Sequence, residues 1–307
     1  MAELKFRRTT ANDYDGVVSI RKHLPDGTDY IPSQYHKLLE SNTGFAGFIG
    51  NQMVCFMFAA VIDDGKSILV QSIRVREEYE GMGVYSRLRA FCIKDLSRIA
   101  KKGVFTINSP GYYKKLLQGS AKLVFLRHAM KFKTTKTSLQ SLLRSRNVCS
   151  ALEKVDASYL EKVFLTQSAT RYLFPENRVV INWGPYEILS SNIERILRGN
   201  EMFATTVSEK DLSCKILSPM ISAVTVFQCE AGTFVNLDLF GNICDEIIIS
   251  DHVNTQLGRC LDKCDEVIVM YVTYQKQQNT DILLQVLSKL NWRKVDEVDM
   301  YGMEKPI

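Results

Sequence analysis

Residues 66–98 read KSILVQSIRVREEYEGMGVYSRLRAFCIKDLSR, and the order within them decides the architecture of the chain. Apolar and β-branched residues at Ile68, Leu69, Val70, Ile73 and Val75 predict a strand. A charged turn and two glycines, Gly81 and Gly83, come next. Apolar residues at Val84, Leu88, Phe91, Ile93 and Leu96 then fall near helical spacing, with Arg87, Arg89, Lys94 and Arg98 between them. A helix opened by glycines leaves backbone N–H groups unpaired at the positive end of its dipole, so Gly81-Met82-Gly83 is a candidate phosphate cradle. It is neither an ATP-binding P-loop, because Gly83 is not followed by Lys-Ser/Thr, nor a complete dinucleotide fingerprint, because a third glycine is missing.

Upstream of this stretch the pattern predicts a strand at 4–8, a helix capped by Thr10-Ala-Asn-Asp, a turn at Pro25-Asp26-Gly27 and a second helix opened by Pro32. Strands at 44–50, 52–61 and 66–76 follow, the last two joined by the hairpin signal Asp63-Asp64-Gly65. Downstream, 104–108 reads as a strand. Ser109 as N-cap, Pro110 and Gly119 then bracket a short helix containing Tyr112 and Tyr113, and another strand covers 123–133. Residues 134–150 show no strand periodicity and mark a linker, which divides the chain into 1–150 and 151–307. From residue 223 the order strand, strand, helix, strand, helix, strand repeats that of the first half. The second turn, Phe240-Gly241-Asn242-Ile243-Cys244-Asp245-Glu246, has one glycine and two acids, which would repel a pyrophosphate. One phosphate site is therefore expected, in the first half, with the second half as its wall or lid.

The 307 residues suffice for two domains, and 46% hydrophobic with 24% charged residues is ordinary globular composition. No run approaches the roughly 18 apolar residues of a membrane span. The opening MAELKFRRTTAND lacks an apolar signal core, so a cytoplasmic protein that does not enter membranes is expected. Eight cysteines scattered in apolar runs suggest reduced, packed thiols. Cys260 and Cys264, with Cys244 and His252, have the residue types of a zinc site, but no Cys-x-x-Cys pair accompanies them, and no metal is expected. The net charge of +5 divides unevenly: residues 1–150 carry 24 Lys+Arg against 12 Asp+Glu, and the rest 15 against 22. No acid lies between Asp95 and Glu153, so the first half is built to attract anions. Nucleic acid is a lesser expectation, because these lysines spread over several elements without an RNA-binding motif.

The element order and the strand-turn-helix segment resemble the GNAT superfamily of N-acetyltransferases. At the superfamily's signature positions stand Glu80, Gly83 and Tyr85, of which Gly83 matches. The segments Asp29-Tyr30-Ile31-Pro32-x-x-Tyr35, Ile73-Arg74-Val75, Ile181-Asn182-Trp183-Gly184-Pro185-Tyr186 and Asn236-Leu237-Asp238-Leu239-Phe240-Gly241 are similar in order and spacing to superfamily members that acetylate free amino acids, histidine among them. The resemblance implies an α/β, mixed-sheet GNAT fold followed by a second, degenerate GNAT-like domain without a coenzyme A turn. It also implies acetyl-CoA as co-substrate and the α-amino group of a small amino acid, histidine or a relative, as acceptor. A monomer whose two similar domains imitate a dimer is expected. By the same resemblance, Ile73, Arg74 and Val75 contact the pantetheine arm and acetyl carbonyl, and the turn formed by Gly81, Met82, Gly83, Val84, Tyr85 and Ser86 holds the pyrophosphate. Asp29, Tyr30 and Tyr35 lie on the substrate side, and Trp183 with Tyr186 closes from the second half.

For the base, these relatives carry Glu on the fourth strand where this chain has Gln71, which can orient an amine or a water but cannot take a proton. Alternation places Gln71 on one strand face with Ile73 and Val75, and an ordinary polar strand residue is the alternative. The superfamily's acidic Tyr follows the fifth strand; Leu123 occupies the best-matching position, with Tyr113 or Tyr112 as substitutes. Tyr35, Trp183 and Tyr186 are also readable as core residues, Asp29 as a cap, and His36 and His128 as solvated or packed histidines.

Overall fold

A computed structural model of the chain describes residues 3–21, 26–96, 100–144, 152–205 and 220–307. The first half runs β1 (Leu4–Arg8), α1 (Tyr14–Ile20), α2 (Ile31–Leu39), β2 (Thr43–Ile49), β3 (Gln52–Ile62), β4 (Ser67–Val75), α3 (Val84–Leu96), β5 (Lys102–Ile107), α4 (Pro110–Leu117) and β6 (Lys122–Thr135). Then come α5 (Lys136–Arg144), β7 (Leu152–Lys154), α6 (Ala157–Leu165), α7 (Gln167–Leu173), the hairpin β8 (Arg178–Ile181) and β9 (Gly184–Glu187), and α8 (Ile193–Leu197). The chain closes with β10 (Glu201–Thr205), β11 (Ile221–Cys229), β12 (Gly232–Phe240), α9 (Glu246–Cys260), β13 (Val267–Gln275), α10 (Asp281–Ser288) and β14 (Arg293–Pro306).

Alternation along β3 explains the layering of the first half. Phe56 and Phe58 pack with Val17 of α1 and Ile31 and Tyr35 of α2. Cys55 and Met57 point the other way, with Val70, Val84, Leu88 and Cys92, so α3 covers the opposite face. In the second half, Ile249, Val253 and Leu257 of α9 and Leu283, Val286 and Leu287 of α10 cover the same kind of sheet. The expected linker at 134–150 is in part a helix: α5 presents Leu139, Leu142 and Leu143, at i, i+3, i+4, to that cluster.

Twelve strands form one sheet in the order β1-β2-β3-β4-β5-β14-β6-β13-β12-β11-β10-β7. The last strand of the chain, β14, lies between β5 and β6, and β6 lies between β14 and β13. Each half thus receives a strand from the other at its centre. Part of the basic stretch 96–152 is answered from the second half: Lys102 Nζ reaches Glu187 at 2.6 Å and Glu304 at 2.7 Å, and His128 reaches Asp299 at 2.9 Å. Arg127, buried, donates to the carbonyls of Leu239 and Thr273 at 2.8 and 3.1 Å.

Candidate active site

Two strand pairs in the sheet are parallel, β4 with β5 and β12 with β13, and they differ. In the second half, β12 and β13 stay paired from Thr233↔Ile268 to Asp238↔Thr273. In the first half, β4 pairs with β5 only from Ser67↔Lys102 to Leu69↔Val104 and then leaves it. From Val70 onward the edge of β4 toward β5 carries no ladder, and Ile73 is 43% exposed along it. Strand backbone left unpaired in this way can pair with an extended amide-bearing ligand.

A bulge accompanies the divergence. Phe58 pairs with Gln71 but Phe56 with Arg74, and Ser72 takes φ +55°. The extra residue breaks the alternation expected from sequence: Gln71 shares a face with Arg74, toward α2, and not with Ile73 and Val75. Arg74 therefore reaches Asp29, with which it forms an ion pair whose side chains are 6% and 9% exposed. Asp29 also accepts from Ile31 N at 3.1 Å at the start of α2. Tyr30 shares a 2.5 Å hydrogen bond with Ser72 Oγ, and burial pushes its phenol pKa up. Two of the segments that carry the resemblance are thus bolted together. The other two meet in the same way, because Asn182 N–H donates to the buried Asp238 carboxylate at 2.9 Å. Burial raises the pKa of Asp238, and the Arg127 charge draws it back.

The glycine turn lies where β4 has left β5. Gly81 and Gly83 have φ +76° and +72°, the left-handed region glycine adopts without strain, and a Cβ at either would meet nothing within 4 Å. The Met82 amide donates weakly to Tyr79 O at 3.4 Å, and that of Arg87 to Gly83 O at 3.1 Å. The amides of Val84, Tyr85 and Ser86 open α3 and have no partner one turn earlier within it. Glu80 is ion-paired with Arg21, which answers the acid beside the turn. The Tyr85 ring packs with the cluster under α3, and burial pushes its pKa up to about 12. It therefore fills the core and leaves the turn clear. In the second half, by contrast, Asp245 caps α9 with hydrogen bonds from Ile247 and Ile248 at 2.9 and 3.1 Å, and Gln278 occupies the Gly241 carbonyl and the Ile243 amide. That turn fills its own anion site.

Gln71 faces a cavity of ≈ 110 Å³ between the halves. Its wall comes from α2 (Gln34, Lys37, Leu38), from the β8–β9 hairpin (Ile181, Asn182, Tyr186), from Arg195, Arg198 and Asn200, and from Thr225 of β11. Among the described residues, no carboxylate lines it. Of the residues singled out from sequence, Gln71 and Tyr186 meet here, and Tyr30 and Asp29 hold the adjoining wall through Ser72 and Arg74. Tyr35 does not reach the cavity: it is fully buried and donates to Thr10 O at 2.7 Å. Trp183, at φ +69°, packs edge-on against Tyr271 at 6.3 Å, and its carbonyl accepts from Thr106 Oγ1 at 2.6 Å. Tyr113 stacks on Tyr301 at 4.1 Å, Tyr112 is 43% exposed and Leu123 38% exposed. Lys37, Arg195 and Thr225 carried no local sequence signal as site residues, because chain distant in sequence brings them together. Ser72, a small polar residue inside an apolar strand, was a readable sign of a bulge.

The unpaired β4 edge, the bulge and the open glycine turn at a helix start lie together in the first half. The chain has a GNAT fold, and its relatives support an N-acetyltransferase. Over 98% of both chains it matches a tandem GNAT protein from the clavulanic acid biosynthesis pathway, with TM-score 0.57 and 11% identity. The expected second GNAT-like unit is therefore present. A family model described as "Histidine N-acetyltransferase, C-terminal" matches residues 148–275. Among curated proteins, histidine N-acetyltransferase of Scomber australasicus is 21% identical over 80% of this chain and 76% of that protein. That of Oreochromis niloticus is 23% identical over 78% and 75%. Among the described residues, no helix is long and apolar enough to cross a membrane, and no group of three or more His, Cys, Asp and Glu could hold a metal. Both ring nitrogens of His252 are engaged, with Ser222 Oγ at 2.7 Å and Thr205 Oγ1 at 3.0 Å.

Proposed function

We propose that the protein transfers an acetyl group from acetyl-CoA to the α-amino group of a small amino acid, histidine or a relative. The observation that carries this is the divergence of β4 from β5 after Leu69, present in the first half and absent from the second. It leaves one slot, with the glycine turn at one end and the cavity at Gln71 at the other. The residues present fit an acyl-CoA: an extended unpaired edge from Ile73 to Val75 for the pantetheine amides, and an open turn from Gly81 to Ser86 for the phosphates. Acetyl-CoA, as co-substrate, supplies the activated thioester. The chain's part is to hold, orient and exclude water.

Gln71 sits where the bulge begins and faces the cavity, so its amide can orient the acceptor amine. It cannot accept a proton, and with no carboxylate among the described residues of the wall the amine gives its proton to solvent before attack. Tyr113 is our proposed donor to the departing thiolate, with its ring fixed on Tyr301. The division into a coenzyme A unit, 1–150, and a lid unit, 151–307, stands as part of the proposal, with β6 and β14 exchanged at its centre.

The test is thiol release from acetyl-CoA in the presence of a panel of free amino acids. Stimulation above hydrolysis by one or a few of them is expected, and none by any of them sinks the enzyme reading. The carboxylate-free wall favours a second reading, an acyl-CoA-binding protein without turnover. Thermal stabilisation by coenzyme A with no thiol release selects it.

A further inference from the structure

We propose that Arg195, Tyr186 and Lys37 form an anion-recognition site that selects the acceptor by a carboxylate next to its amine. The inference rests on the acetyltransferase reading of the same cavity. Among the described residues, its wall carries three cations, Lys37, Arg195 and Arg198, and no acid. Arg198 is spent on Glu194, whose own side chain is 81% exposed. Lys37 and Arg195 have no ion-pair partner among the described residues.

The two come from opposite halves, and Arg195 is held in place. Arg195, on α8, donates to Ser41 O at 2.9 Å, which ties the second half to the end of α2 and leaves its other guanidinium donors for the cavity. The Lys37 ammonium lies over Gly199, 3.1 Å from where a Cβ there would stand. Tyr186 adds a phenol that has no hydrogen-bond partner among the described residues, and burial keeps it protonated, a donor for an anion, against the opposing pull of the Arg195 charge. An arginine fork, a phenol and an ammonium around one small cavity form a carboxylate receptor. With Gln71 in the same wall, an α-amino acid bound by its carboxylate presents its amine toward β4. Amines without a neighbouring carboxylate would leave two cations unanswered.

Chemistry alone would favour the opposite substrate, because the α-amine of a carboxamide loses its proton more readily than that of the free acid. A preference for the acid therefore reports recognition by the protein. The experiment compares free amino acids with their carboxamides on the full chain in two readouts, calorimetric binding and kcat/KM from thiol release. In the wild type the best amino acid should outbind its carboxamide by roughly 30-fold, the scale of a hydrogen bond to a charged group. Arg195→Gln should shrink that ratio to about threefold. Lys37→Met, at an exposed residue with no partner to disturb, should lower it by roughly three- to tenfold. Equal binding of acid and amide by the wild type overturns the proposal, as does a ratio that survives both substitutions or an absence of binding by every amino acid. The two readouts separate this proposal from the function it rests on. Preferential binding of the acid without thiol release supports the anion site and refutes turnover, whereas equal acetylation of acid and amide supports turnover and refutes the anion site.

Discussion

Replacing Gly83 by Asp separates cofactor binding from folding, because the structure predicts opposite outcomes for the two. Gly83 has φ +72°, where a side chain costs roughly 1–2 kcal/mol, but a Cβ there meets nothing within 4 Å, so no clash is added. The residue directly precedes α3, but at positive φ it lacks the extended conformation of a capping residue, so Asp there gains no cap to offset the strain. The variant should lose about 1–2 kcal/mol, and the melting temperature should move by only a few degrees. Ligand binding should fare differently. The same carboxylate would face a diphosphate, and two like charges about 4 Å apart near a protein surface repel by about 4 kcal/mol, or roughly a thousandfold in affinity. Coenzyme A binding measured by titration calorimetry should therefore be lost while thermal unfolding stays close to wild type, and the loss should shrink as salt is raised. Gly83→Ala, which carries the strain without the charge, should lose no more than about tenfold in affinity. An affinity for coenzyme A unchanged by Gly83→Asp would mean that the pyrophosphate does not sit at this turn. Unfolding of the variant would mean that the strain at this position is larger than its φ and open surroundings imply.

Further outcomes follow from the site and its supports. With Gln71 unable to take a proton, wild-type kcat/KM should rise with pH as the free amine deprotonates. Gln71→Glu should move that rise to lower pH, and an unshifted profile would remove Gln71 from the acceptor's surroundings. Asp29→Ala strands the buried Arg74 guanidinium and should cost about 3–5 kcal/mol in urea denaturation, whereas Asp29→Ala with Arg74→Met should recover most of the loss; a mild single variant would show that the pair is solvated. His252 is held neutral by burial, its pKa lowered to about 4 from 6.5. The unfolded chain then binds a proton that the folded chain does not as pH falls below 6.5. Stability should therefore drop by about 2 kcal/mol between pH 7 and 5, and His252→Gln should flatten that slope in urea denaturation at the two pH values.

What sequence revealed and what it withheld divide along a physical line. Strands β2 to β5, the glycine turn and α3 were legible because period-two and period-3.6 patterns and glycine are local signals. The helix α5 left the spacing of Leu139, Leu142 and Leu143 as its trace, among polar residues that read as linker. The bulge at Ser72 inverted the expected facing of every β4 residue after it, since one extra residue moves a strand's side chains to the other face. The place of β14 was not legible at all, because its pattern says only that it is a strand and both halves offer it a partner. Lys37 and Arg195 lie far apart in the chain and become one site only when α2 and α8 close on the same cavity.

The repeated strand-turn-helix unit sharpens this into an argument about where function resides. Both halves contain the parallel pair, the positive-φ glycine and the helix that follows, so none of these features by itself makes a cofactor site. What distinguishes the halves is whether the local hydrogen-bonding capacity is already spent. In the second half, Asp245 answers the helix amides, Gln278 answers the turn, and β13 answers β12 as far as Asp238. In the first half, the corresponding β4 edge lies open, and the acid nearest the turn, Glu80, is held by Arg21. Buried or semi-buried backbone groups demand partners, so a row of them unpaired beside an open glycine turn is what the proposed acyl-CoA site rests on. The degenerate half, having satisfied itself, is free to supply Tyr186 and Arg195 to the cavity that its neighbour opens.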